Sequence, residues 1–423
     1  MMTRRLSVSS LSLFCVGCLA FAQVSLAAEP LKLNLLEVMT SPGRTAVVKD
    51  VIEKFQATHP NITINLISPP YEQADNKLTL MMNAREPLDV VEVRNQTLLQ
   101  YVNNGLLENL EDRLKSWPDA KTLLPVTLEA ARSVNNTAYM LPEYFYIKAL
   151  FMRTDVLKKL GVETAPSTMS QLYELAKKIT NPASNQYGFA FRGKGNAYRH
   201  SDLMLLSDLP NLNIKRAYQT TDGKTVFESP QFVKSLKAYI DLFKNAVPAD
   251  GINWGFNEQV NAFVSGTAPF LIQDPDTVAL VDKQLGRDKY TVVPMLVGAS
   301  GKSYLDYGFA GLGITSYSKN KEAAWEFVKF FSAPKQNAEF NKQYGPLPIH
   351  AVTFKEDPYF STGAYKAWAV QLNTPDRYVY VIYPFNAPQY PGWTQVQQQT
   401  MQAALLGQIT AEEAAAKWAA YWK

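Results

Sequence analysis

Cysteine is almost missing from this chain of 423 residues: Cys15 and Cys18 are the only two, and both lie close to the N-terminus. That scarcity excludes a disulfide framework, a thiolate metal site and a redox dithiol in everything that follows them. Histidine is nearly as rare, with His59, His200 and His350 far apart along the chain. No HExxH, GxSxG or paired-carboxylate motif is present, so the common hydrolase chemistries find no support. No run of basic residues points to nucleic acid or to an anionic membrane surface. Beyond the N-terminal segment no apolar stretch approaches the roughly 20 residues that a membrane-spanning helix needs. There is neither an internal repeat nor a low-complexity linker.

Two partial motifs also fall short. Gly188-Phe-Ala-Phe-Arg-Gly-Lys194 matches the first seven places of a phosphate-binding P-loop, but Gly195 stands where Ser or Thr would hold magnesium. Asp274-Pro-Asp276 offers two carboxylates to a hard cation, without further oxygen ligands nearby in sequence. No cofactor is implied.

What is present begins with Arg4 and Arg5, the apolar run Leu11 to Phe21 and the small residues Ser25-Leu-Ala27. These are the three parts of a cleavable secretory signal over residues 1–28, with a mature end at Ala28 or Glu29. A lipid anchor at Cys18 is disfavoured, because Cys15 occupies the place of an aliphatic residue and apolar sequence continues past Cys18. Removing Arg4 and Arg5 takes the formal net charge from +4 to +2. The remaining chain, about 395 residues, is long enough for two domains. It is 12% aromatic and 19% charged, so many rings must be core or binding surface.

Strand and helix patterns alternate. Leu31 to Val38 reads as a strand, and Val48, Val51, Ile52 and Phe55 recur at helical spacing after the Ser41-Pro42-Gly43 start. Ile62, Ile64 and Leu66 form a second strand, a helix runs from about Glu72 to Ala84, and Asp89 to Val93 is a third strand. That rhythm predicts an α/β fold with parallel strands. Later helices are expected from Ser167, over Phe232 to Phe243, Asn257 to Val264, Glu322 to Phe331 and Ala411 to Trp422. Strands are expected over Phe270 to Ile272 and Tyr290 to Pro294. Trp325, Trp418 and Trp422 sit on helical stripes and are assigned to packing.

The stretch LPEYFYIKALFMRTDVL, from Leu141, reads as one buried strand that nevertheless opens with Glu143, Tyr144 and Tyr146. Polar groups at a frayed strand end would explain this. So would passage along a ligand cleft on the way into a second lobe.

Several segments in order resemble the extracellular solute-binding proteins of ATP-driven importers, the sugar-binding group that includes the maltose and polyol binders. They are Phe55-x-x-x-His-Pro-Asn-Ile62, Asp89-Val-Val, Gly105-Leu-Leu-Glu-Asn-Leu110 and Pro142 with Arg153-Thr-Asp155. Phe191-Arg-Gly-Lys194 and Gly255 to Gly266 are similar to the polyol-binding branch. Gly308 to Ile314 and Lys321-Glu-Ala-Ala-Trp-Glu-Phe327 resemble the return crossing and the helix after it.

The resemblance implies the two-lobed type II periplasmic-binding-protein fold, each lobe a mixed sheet flanked by helices, with the ligand cleft at the hinge. It divides the chain into residues 29–143 with 310–360 as the first lobe and 144–309 with 361–423 as the second. It implies a monomeric, periplasmic protein that carries a sugar or polyol to inner-membrane permease subunits. An exported carbohydrate-active enzyme and a receptor module for a membrane sensor are the alternatives.

A sugar site needs flat aromatic faces together with groups that both donate and accept hydrogen bonds. The implied candidates from the first lobe are Thr40, Arg44, Tyr71, Arg94, Asn95 and Gln96, followed by Glu143, Tyr144 and Tyr146 at the crossing. From the second lobe come Trp254, Phe256, Asn257, Asp274 and Asp276, then Tyr304, Asp306 and Tyr307 near the return crossing, and Trp393 as an aromatic shelf. Arg44 as a solvated helix-start residue, Asn257 as a helix cap, Asp306 as a turn residue and Trp254 as a core ring are the plainer assignments. Gln273-Asp-Pro-Asp276 and Val93 stand where the maltose-binding branch carries tryptophans. Both departures favour a smaller or more polar ligand than a long maltodextrin, and the two carboxylates disfavour a glycerol phosphate.

Overall fold

The computed structural model describes residues 31–194, 197–385 and 387–423, with the side chains of residues 72 and 391 also left aside. The segment expected to be a secretory signal, with Cys15 and Cys18, lies outside the described residues.

Strand β1 (Leu31–Leu36) buries Leu33, Leu35 and Leu36. The helix that follows, Pro42–Thr58, starts where the Ser41 side chain accepts from the Arg44 N–H and proline occupies the first turn. Its buried stripe of Val47, Val48, Val51, Ile52 and Phe55 covers the sheet. Strands β2 (Ile62–Ile67) and β3 (Val90–Arg94) both pair in parallel with β1. The remaining strands are β4 (Leu141–Tyr146), β5 (Ala149–Met152), β6 (Phe189–Ala190), β7 (Phe270–Gln273), β8 (Thr291–Val293), β9 (Ser303–Leu305), β10 (Gly308–Ile314) and β11 (Tyr378–Tyr380).

Two sheets result. The first has the order β2-β1-β3-β10-β4 and the second β6-β7-β5-β8, while β9 and β11 form a separate parallel pair. Strand β10 runs antiparallel to both β3 and β4, so each sheet is mixed.

The segment expected as one strand from Leu141 onward is two. Strand β4 belongs to the first sheet and β5 to the second, with only Ile147 and Lys148 between them. The return is equally short, Asp306 and Tyr307 joining β9 to β10. Residues 144–146 and 308–309 therefore stand in the first sheet, because Gly308 pairs with Tyr146 and Phe309 with Phe145. The division at 143/144 and 309/310 shifts accordingly, and the crossings are 147–148 and 306–307.

Helix Lys366–Asn373 secures the first crossing. Trp368 Nε1 donates to the Ile147 carbonyl and Gln371 Nε2 donates to that of Lys148. A crossing residue cannot satisfy these carbonyls within either sheet, and buried ones need partners.

Candidate functional site

At the end of β3 the chain turns directly into helix Asn95–Asn103. Arg94, Asn95 and Gln96 thus sit at the carboxyl edge of the parallel strands, where open α/β sheets present their ligand crevices. Arg94 Nη2 donates to the Val38 carbonyl at 2.9 Å, and Nη1 pairs with Asp75 at 3.2 Å. The same guanidinium lies 4.6 Å from the ring centre of Tyr71, which is 46% exposed. Tyr71 is a broad, half-apolar face held from behind by a cation.

Facing this edge is the wall of the second lobe. A cavity of about 360 Å³ is lined by Tyr71, Arg94, Asn95, Gln96, Tyr144 and Tyr146 on one side. Phe256, Asp274 and Asp276 line it on the other. These nine sequence candidates are brought together. Lys148, Arg192, Arg199, His200, Gln273 and Tyr344 line the same cavity, and none of them was a candidate. Lys148 had a signal, standing two places after Tyr146 in the crossing segment. Arg199 and His200, on helix Ala197–Leu206, had none.

The polar groups are tightly held. Lys148 Nζ pairs with Asp274 Oδ2 at 2.8 Å and Arg199 Nε with Asp306 Oδ2 at 2.8 Å. Asp276 is half-buried as a residue, yet its Oδ1 is shielded from solvent and has no partner among the described residues. Burial, followed by the neighbouring Asp274, pushes its carboxyl up to about 7, against the opposing pull of Lys148. His200 is held well below its ordinary range by burial and then by Lys148, Arg192 and Arg199.

A second cavity, of about 640 Å³, shares Asn95 and Phe309 with the first. Its aromatic lining is Tyr218, Phe309, Tyr380, Tyr383, Phe385 and Trp422, and the exposed Lys215 and Arg216 line it too. The groove is thus longer than the first cavity alone, within the range of ligand clefts.

The other candidates lie elsewhere. Arg44 is 2% exposed, with Nη1 2.6 Å from Glu37 and Nη2 2.7 Å from Glu92 and 3.4 Å from Glu143. It is neither solvated nor in the cleft. Burial opposes its charge, but Glu92, Tyr144 and Glu143 together raise its pKa further. Glu143, 1% exposed, belongs to this cluster beneath the sheet; burial and Glu92 raise its pKa well above the usual carboxylate range despite Arg44. Glu92 also accepts from the Val38 and Met39 N–H groups and from Tyr144 Oη. Thr40 donates to the Pro69 carbonyl and Trp254 to Asp250, and neither lines the cavities. Asn257 is exposed, and the cap of its helix is Gly255, whose N–H is accepted by Glu258.

Tyr304 is buried, and Tyr307 is stacked on Tyr380 with centroids 4.5 Å apart. Asp306 reaches the cleft only through Arg199. Trp393 is a core residue, not a shelf. It is 0% exposed, its Nε1 donates to Tyr218 Oη at 2.8 Å, and Phe227, Trp418, Tyr421 and Trp422 surround it. Tyr383 and Phe385, earlier in the same segment, line the second cavity instead.

Residues 41–338 match the family described as bacterial extracellular solute-binding protein. A binding protein of Brucella abortus is 25% identical over 368 residues, spanning 85% of this chain and 84% of that one. The mannitol-binding protein of Pseudomonas aeruginosa is 24% identical over 320 residues, 74% of this chain and 72% of its own length. Among solved structures, maltose-bound MalE3 of T. maritima superposes with a TM-score of 0.76 at 23% identity, covering 92% of this chain and 98% of that one. The two-lobed fold is shared.

Proposed function

The chain belongs to the family of bacterial extracellular solute-binding proteins, and from that premise we propose that it is a periplasmic protein that captures a carbohydrate or polyol and delivers it to the permease of an ABC importer. The observation that carries this reading is the cavity at the paired crossings, where both lobes supply polar side chains around half-exposed rings. Such a site suits hydroxyl fans and weakly apolar C–H faces. The relative named for mannitol and the neighbour bound to maltose support the same substrate class.

Binding needs both walls. The first lobe offers Tyr71, Arg94, Asn95 and Gln96, the second Phe256, Asp274 and Asp276, and Tyr144 and Tyr146 lie at the floor. Because neither wall alone completes the hydrogen bonds, ligand favours the arrangement in which the lobes approach, by its differential affinity for that arrangement.

A thermal-shift screen of the purified protein across mono-, di- and trisaccharides, polyols and sugar acids tests the proposal. A saturable shift with one saccharide or polyol is expected. Turnover of a bound sugar would overturn the transport reading in favour of an enzyme, and silence across the whole panel would overturn the carbohydrate reading.

A further inference from the structure

The first cavity is lined by four cationic side chains, Arg94, Lys148, Arg192 and Arg199, against the two carboxylates Asp274 and Asp276. The second has Lys215, Arg216, Lys224 and Lys423 against Glu228. The formal net charge of the entire chain is only +4. Five of these eight cations are held by carboxylates, Arg94 by Asp75, Lys148 by Asp274, Arg199 by Asp306, Lys224 by Asp222 and Lys423 by Glu228, so the groove offers cationic donors fixed in place, suited to an anionic group on the ligand.

We infer that the ligand is an acidic saccharide, whose carboxylate seats among Lys148, Arg192 and Arg199 while its rings lie along the groove; the inference rests on the carbohydrate reading above.

The geometry around that seat is built. Lys148 and Arg199 side chains are only 9% and 15% exposed, and Asp274 and Asp306 fix their positions. Arg199 Nη2 is shielded from solvent and lacks a hydrogen-bond partner among the described residues. A shielded donor without an acceptor is unfavourable, and a ligand carboxylate oxygen would satisfy it with a charge-assisted bond. His200, beside the same three cations, is driven toward its neutral form by burial and by their charge.

The two aspartates select the kind of anion. Asp274 already neutralises Lys148 at 2.8 Å. Asp276, with its carboxyl up to about 7, carries a proton for much of the time in mildly acidic solution and can then donate. A planar monoanion fits between a guanidinium fork and such a donor. A phosphate monoester, bulkier and doubly charged, brings about twice a carboxylate's like charge to Asp274. Lys215 and Arg216, exposed in the lining of the second cavity, stand where a second carboxylate of a longer chain would pass.

The test uses the full protein and isothermal calorimetry with glucuronic, galacturonic and mannuronic acids and their di- and trisaccharides. The matched neutral sugars, the methyl esters of the acids and glucose 6-phosphate are run beside them. One uronate is expected to bind at least about tenfold tighter than both its methyl ester and its neutral counterpart. Arg199→Gln should remove most of that ratio, lowering the uronate's affinity far more than the ester's. Should that variant fail to fold, Arg192→Gln, at a half-exposed position, gives the same comparison. Tight binding of a neutral sugar or polyol with the acids ignored overturns the inference and leaves the carbohydrate reading standing. Preference for the phosphate ester overturns it in favour of another anion. Binding of nothing in either class overturns both.

Discussion

The phenol oxygens of Tyr146 and Tyr344 share a hydrogen bond, which ties the last residue of β4 to the end of helix Pro334–Tyr344 at the floor of the cleft. Their rings meet edge to face at 6.4 Å, and Tyr144 packs against both. Three phenols in mutual contact form a rigid surface, with the Tyr144 hydroxyl donated to Glu92 and the hydroxyls of Tyr146 and Tyr344 bonded to each other. Tyr146→Phe keeps the ring and removes one of them. The expected loss of ligand affinity is about 0.5–1.5 kcal/mol by calorimetry. Unchanged affinity would confine Tyr146 to holding Tyr344 in place.

Tyr71 is the aromatic face that can be removed without opening the core, since it is 46% exposed. Tyr71→Ala is expected to cost about 1–3 kcal/mol of binding, the scale of uncovering a large apolar side chain, with little change in melting temperature. A drop in melting temperature with unaltered affinity would refute its place in the site.

Trp393 should behave in the opposite way. Trp393→Ala empties a fully buried indole site and leaves Tyr218 without a donor. Urea titration is expected to show about 3–5 kcal/mol of lost stability. Affinity of the fraction that remains folded should be preserved.

Arg44 is the one cation among the described residues paired with three glutamates, Glu37, Glu92 and Glu143, beneath the first sheet. Arg44→Met leaves Glu37, Glu92 and Glu143 facing one another out of water. Breaking a buried ion cluster on one side typically costs about 3–5 kcal/mol, which chemical denaturation would detect. Recovery of part of that stability in Arg44→Met combined with Glu37→Gln would show that like-charge repulsion is the cause.

Asp276 gives a dependence on pH with a definite sign. Its carboxyl is raised from the ordinary aspartate value to about 7 by burial and by Asp274. The folded state therefore holds a proton that the unfolded chain releases near pH 4, so stability from this group falls as pH rises from about 4 to about 7. Asp276→Asn should be more stable than the wild type above pH 7, with the difference vanishing near pH 4. Melting temperatures across that range decide it, and a constant offset at every pH would refute the assignment. Asp202, also pushed to about 7 by burial, keeps its own slope in both proteins.

The elements were legible wherever a segment buries a regular face. The helix over Pro42–Thr58, the strand β3 and the helix over Lys321–Ser332 follow directly from periodicity. Arg94, Asn95 and Gln96 were legible because they end a parallel strand, a place set by topology rather than by residue type. Arg199 and His200 were not. Their helix continues through Leu203, Met204, Leu205 and Leu206, all buried, so no polar face distinguishes it in sequence. Trp393 failed for a related reason: a shelf and a core indole are the same residue, and only Tyr218, distant in sequence, satisfies its N–H. Arg44 likewise reads as a helix-start residue until Glu92 and Glu143 arrive from other strands.

The antiparallel insertion of β10 has a consequence for how the chain acquires its structure. This strand lies between β3 and β4, yet it follows β3 by roughly two hundred residues, the whole second sheet intervening. Without it, β3 and β4 have exposed edges on the sides that β10 later fills. The first lobe can be completed only after the segment through Ile314 is synthesised, and closing so long a loop is entropically slow. A nascent or partly threaded chain thus keeps its first sheet incomplete longer than a lobe of contiguous sequence would. The same edges, until covered, are where the chain is most open to capture by a chaperone or to aggregation.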